Sequence, residues 1–116
     1  MYRQTGLSEA VLNKLIEALE HASVREIIIF GSRAKGSFRQ GSDIDICLDA
    51  PDMDTNELLK IKTEIDALDL PWMVDVVHKQ SIDNPALLDH IRQHGLSLQS
   101  LRTAKRDSHG DKAASQ

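Results

Sequence analysis

Apolar residues recur at two different spacings along this chain, and the switch between them predicts its elements. From Ser8 to His21, Val11, Leu12, Leu15, Ile16 and Leu19 fall at i, i+3 and i+4, the mark of an amphipathic helix with Ser8 as N-cap. Glu26 to Phe30 carries three successive isoleucines, β-branched and too short a run for a helix, so it predicts a buried strand. Ser32 to Ser37 predicts a short helix closed by Gly36, followed by an irregular loop through Gly41. Asp43 to Leu48 alternates with period two, with Ile44, Ile46 and Leu48 on one side and Asp43, Asp45 and Cys47 on the other.

The second half repeats the alternation of elements. Asp54-Thr55-Asn56-Glu57 has the spacing of a capping box, and Leu58, Ile61, Ile65 and Leu68 form a buried stripe behind it. Pro71 ends that helix, and Trp72 to Val77 predicts a third strand with Asp75 in its middle. Asn84-Pro85 opens a last helix as N-cap and N1, with Gly95 placed as its C′ residue. Leu96 to Leu101 alternates and predicts a short edge strand. From Thr103 the chain is polar and charged, which predicts one domain over residues 1–102 and a disordered tail over 103–116. Helices alternating with strands predict a small α/β domain: a mixed sheet with helices packed against it.

Composition narrows the function classes. At 116 residues, 41% hydrophobic and 28% charged, the chain suits one soluble domain with a single core. A net charge of -4 argues against general nucleic-acid coating, which needs a broad basic face. The single cysteine, Cys47, excludes an intramolecular disulfide and any all-cysteine metal site. With no apolar run able to span a bilayer and no signal-peptide core near Met1, the expected location is cytoplasmic.

The chemistry concentrates in Phe30-Gly31-Ser32, ten further residues, and then Asp43-Ile44-Asp45-Ile46. Two carboxylates at i and i+2 of a strand share one face, and like charges so close repel. A divalent cation between them relieves that repulsion. Asp75 is a third carboxylate inside a strand pattern, where Asp is poorly suited unless paired or metal-bound. Three hard oxygen donors suit Mg²⁺, and two such ions can clamp the attacking and leaving oxygens of an in-line displacement. Gly31 lets the backbone approach a ligand, and Ser32 opens a helix whose free N–H groups attract phosphate. Arg33, Lys35 and Arg39 add positive charge, with Arg33 expected to be the best placed to neutralise a triphosphate.

Gly31-Ser32-Arg33-Ala34-Lys35-Gly36 followed by Ser42-Asp43-Ile44-Asp45-Ile46 resembles the signature of the DNA polymerase beta-like nucleotidyltransferase superfamily. Leu70-Pro71-Trp72-Met73-Val74-Asp75 extends the likeness to its minimal nucleotidyltransferases, over residues 8–101. The resemblance implies metal-dependent transfer of a nucleoside monophosphate, AMP from ATP, onto a hydroxyl acceptor. It assigns Asp43, Asp45 and Asp75 to the catalytic metal site, with Asp75 as candidate general base, and Gly31 and Ser32 to the phosphate turn. Lys35 stands where many relatives carry Arg, which keeps the charge and loses the planar fork. The family further implies a HEPN-domain toxin as partner in a hetero-oligomer, neutralised by binding and by AMP transfer. Two rival readings are a nucleotide- and partner-binding antitoxin without turnover, and a small-molecule transferase of the aminoglycoside-modifying kind.

Other residues are expected to be structural. Cys47 reads as a small buried strand residue. Trp72 reads as a packing residue. His78, His90 and His94 make no zinc pattern, and His90 and His94, at i and i+4, are expected on a solvated helix face.

Overall fold

A computed structural model describes residues 5–39 and 41–101. The order of elements is α1 (Glu9–Leu19), β1 (Glu26–Phe30), α2 (Ser32–Lys35), β2 (Ile44–Asp49), α3 (Thr55–Ala67), β3 (Val74–His78), a 3₁₀ turn (Lys79–Ser81), α4 (Pro85–His94) and β4 (Leu96–Ser97). The tail expected over 103–116 lies outside the described residues.

Helix starts follow their caps. The Ser8 hydroxyl accepts the Val11 N–H at 3.2 Å, and Asp54 Oδ1 accepts the Glu57 N–H at 2.8 Å. Glu57 does not complete a capping box; its carboxylate reaches across to His21 Nδ1 at 3.6 Å, joining the end of α1 to α3. Asn84 Oδ1 accepts the N–H groups of Ala86 and Leu87, with Pro85 in the first turn.

The sheet runs β3-β2-β1-β4. β1 pairs antiparallel with β2 and β4, while β2 pairs parallel with β3, so α3 is the crossover that parallel strands require. One face presents Ile27, Ile29, Ile44, Ile46, Leu48 and Val76 to α1 and α3, forming the main core with Leu12, Leu15, Ile16, Leu19, Ile61 and Ile65. The other face presents Ile28, Phe30 and Cys47 to Ile91 of α4. With both faces covered, β1 is buried along nearly its whole length, which is why it reads as continuous isoleucine.

Three expected elements differ. Strand character ends at Ser97, and residues 98–101 form a helical turn. The Ser97 hydroxyl accepts the Ser100 N–H at 3.2 Å and caps that turn, and Leu98 and Leu101 are buried at helical spacing. β3 begins at Val74 rather than Trp72, because Trp72 turns aside to stack on Arg33; the ladder opens with the Ile44 N–H donating to Met73 O at 2.9 Å. Gly95 ends α4 in extended conformation, φ -65° and ψ 145°, so it is not a left-handed C′ residue. Glycine is needed there for space: a Cβ would collide with Ile91 O and approach Ile28 Cγ2 to 2.6 Å.

Candidate active site

One rung of the sheet organises the site. Phe30 on β1 pairs with Asp45 on β2, and Asp45 pairs with Asp75 on β3. Parallel, in-register neighbours point the same way, so Asp45 and Asp75 share the face covered by α4. Asp43 lies one residue before β2, exposed, and Asp75 is exposed on the edge strand, while Asp45 between them is half-buried.

That placement raises the pKa of Asp45 above its ordinary value. Burial is the largest cause, followed by the negative charges of Asp75 and then Asp43, with His90 pulling the other way. Asp75, predicted from a different strand pattern, thus adds its charge to that of Asp43 at the same carboxylate. The donor set fits a hard cation in its chemistry: oxygen atoms only, anionic, and short of compensating charge. Among the described residues no three Asp, Glu, His or Cys side chains are already gathered closely enough to hold a metal ion.

The Gly31-Ser32 turn adjoins the rung directly. After Phe30 the chain leaves the sheet at Gly31, whose φ of 77° lies in the left-handed region. A Cβ at Gly31 would meet Asp45 Oδ2, the movable end of a side chain, so it is the positive φ that favours glycine where the turn lies against the carboxylate. Ser32, half-buried, begins α2, and the Lys35 N–H closes the turn on Gly31 O at 3.1 Å.

Arg33 is not where a triphosphate cation would stand. Its side chain is 2% exposed. Nε and one terminal nitrogen donate to Ser42 O at 3.2 and 3.0 Å, and the other donates to Thr5 O at 2.8 Å. The guanidinium lies over the rings of Phe38 and Trp72, 5.1 and 5.4 Å from their centroids. Arg33 thus fastens α2 to the segment entering β2 and to the segment entering β3, a structural role that loop composition did not reveal. Lys35 and Arg39 are the exposed cations of this segment.

Two further expectations are settled by position. Cys47 is fully buried between the sheet and α4, and burial pushes its thiol up to about 11, so it is no nucleophile at neutral pH. His94 is exposed as expected, but His90 is half-buried, edge-on to Phe30 with ring centroids 6.2 Å apart. Its Nε2 accepts the Gly31 N–H at 3.1 Å. The only hint in the sequence was that His90 adjoins the stripe of Leu87 and Ile91, which does not say what lies beneath it.

Comparison with known proteins agrees with this geometry. The family described as polymerase beta nucleotidyltransferase matches residues 13–102. The chain belongs to that family. The activity that the family's description names is nucleotidyl transfer. Among solved structures, a toxin–antitoxin crystal structure with AMP-PNP aligns at TM-score 0.61 and 26% identity, over 87% of this chain and 90% of the other. The MNT antitoxin in complex with a tri-AMPylated HEPN toxin from Shewanella oneidensis aligns at TM-score 0.59 and 24% identity, over 91% of each chain. A toxin–antitoxin MntA–HepT crystal structure aligns at 0.57 and 24%, over 90% and 91%. No curated protein matches the sequence. Among the described residues no helix is long and apolar enough to cross a membrane.

Proposed function

We propose that this chain is a Mg²⁺-dependent adenylyltransferase that moves AMP from ATP onto a hydroxyl of a HEPN-domain protein, and that it acts as the antitoxin of that pair. The observation that carries the reading is the rung: Asp45 and Asp75 side by side, with the glycine turn pressed against Asp45. The partner and nucleotide are supported by the toxin–antitoxin complexes that share the fold, one with AMP-PNP and one with an AMPylated HEPN toxin.

The roles follow from position. Asp43, Asp45 and Asp75 would hold Mg²⁺, which when bound supplies charge neutralisation for the triphosphate and the developing pyrophosphate. Gly31 keeps the backbone low enough for phosphate to approach, and Ser32 meets it at the start of α2. Asp75, exposed on the edge strand, is reachable by an acceptor from outside and takes the proton of its hydroxyl. The acceptor oxygen bonds to the α-phosphorus as the bond to the β-phosphate oxygen breaks, and pyrophosphate departs. With β3 at the rim of the sheet, the acceptor side of the site opens toward a partner rather than into this domain.

The test supplies purified protein, Mg²⁺, each α-labelled NTP in turn, and the HEPN-domain protein together with RNA and an aminoglycoside as competing acceptors, beside an Asp43→Asn/Asp45→Asn control. Label on the HEPN protein from ATP, lost in the control, is the expected result. Label on RNA or an aminoglycoside instead would keep the enzyme and discard the antitoxin target. No transfer by a folded protein that still binds the HEPN partner would leave a binding module.

A further inference from the structure

The β1–β2 ladder stops at the pair Phe30–Asp45, so the Gly31 N–H leaves the sheet without a strand partner. It donates instead to Nε2 of His90, on a helix 59 residues away in sequence. A backbone N–H only donates, so Nε2 of His90 is the acceptor in this contact. The ring is fixed in turn: it stands at 77° to Phe30 and lies 5.2 Å from the ring of His94. Asp45 Oδ2 fills the space a side chain at Gly31 would take. Gly31 thus meets both a histidine of α4 and a carboxylate of β2.

We propose that His90 is a positioning residue for nucleotidyl transfer, its Nε2 holding the Gly31 N–H so that the Gly31-Ser32 turn stays seated against Asp45. The proposal rests on the reading of this site as a nucleotidyltransferase. His90 touches neither phosphate nor metal in this role; it acts through the turn. α2 is four residues long, too short to hold its own direction, whereas α4 has ten residues anchored on the sheet by Ile91. The tether therefore transfers the rigidity of α4 to the phosphate turn. It also occupies the Gly31 N–H, which leaves phosphate to Ser32 and the first N–H groups of α2.

The experiment compares the wild type with His90→Phe and His90→Gln in the full chain. Phe keeps a ring against Phe30 and removes the acceptor; Gln returns an acceptor, Oε1, at similar reach. Deuterium exchange at the Gly31 amide, followed by NMR, is expected to accelerate about tenfold in His90→Phe and to stay near wild type in His90→Gln. In the transfer assay KM for Mg·ATP is expected to rise about tenfold in His90→Phe with kcat nearly unchanged, and to recover in His90→Gln. A residue that only supported the fold would lower Tm without moving the KM of the folded protein. Unchanged amide exchange in His90→Phe, or His90→Gln behaving like His90→Phe, overturns the proposal. If the wild type itself transfers no nucleotide, the functional reading fails separately, and the Gly31 amide still decides whether His90 holds the turn.

Discussion

The two faces of this one sheet are built to opposite rules. Toward α1 and α3 the sheet offers only aliphatic side chains, and Ile27, Ile29, Ile44, Ile46 and Leu48 are fully buried there. Toward α4 the apolar patch of Ile28, Phe30 and Cys47 gives way within one rung to Asp45 and Asp75. Burial favours the first face at each position. On the second, desolvation and mutual repulsion act against the charged form of Asp45. The first face contributes only burial, whereas the second sets a buried apolar patch beside carboxylates whose charge burial and repulsion oppose.

The sharpest way to break that division is Asp45→Asn. Removing the central carboxylate should lower transfer by on the order of 10³-fold or more, the several kcal/mol that a bound metal contributes to transition-state charge. The fold should survive, since the amide fits the same space; circular dichroism beside the labelled-ATP assay checks both. Activity retained within about tenfold would remove Asp45 from the metal site.

The converse substitution attacks the other face. Ile29→Ala, on the same strand as Phe30 but pointing into the main core, should destabilise by about 3 kcal/mol through lost transfer energy and a residual cavity. Urea unfolding measures the loss. Below the unfolding transition KM for ATP should stay at its wild-type value, because nothing on the α4 face has changed. A raised KM would show that the faces are mechanically coupled.

The same division explains what could be read from the sequence. Helices with caps and apolar stripes, and the strands Glu26–Phe30 and Ile44–Asp49, follow from local periodicity, which the core face enforces. Alternation also put Asp43, Asp45 and Cys47 on one side of β2. It could not bring Asp75 to Asp45, since that depends on a parallel register set by the α3 crossover. Residues 96–101 fit both period two and period three, and only the burial of Leu98 and Leu101 decides between them. The expectations that failed at the site concern long-range partners. Arg33 looks like a loop cation until Trp72, far along the chain, closes over it. His90 looks solvated until α4 is laid across Phe30.

Arg33 offers a test between the two rules, since it is a charge used as core. Arg33→Lys keeps the positive charge and cannot reproduce three donors in a plane over two rings. It should destabilise by about 2 kcal/mol, from the carbonyls of Ser42 and Thr5 left short of donors and from weakened ring contacts. If the guanidinium serves only the fold, KM for ATP in the folded variant changes by less than about threefold. A larger rise in KM, with stability intact, would return Arg33 to the phosphates.

The smallest effect is also the most diagnostic of strain on the α4 face. A raised pKa means that folding favours protonated Asp45, so its stabilising contribution is complete below the ordinary carboxyl value of 3.8 and is lost as pH rises through the higher folded value. Without metal, Asp45→Asn and the wild type should therefore melt together in acid, where both side chains are neutral. As pH climbs toward 7 the variant should pull ahead by a few degrees, because only the wild type must ionise Asp45 beside Asp75 and Asp43. Mg²⁺ should then raise the wild-type Tm and leave the variant nearly unmoved, closing or reversing the gap. Calorimetry from pH 3 to 7, with EDTA and with Mg²⁺, follows all three steps. A variant no more stable than the wild type at neutral pH would mean that the carboxylates are already compensated, and the contrast between the two faces would lose its electrostatic basis.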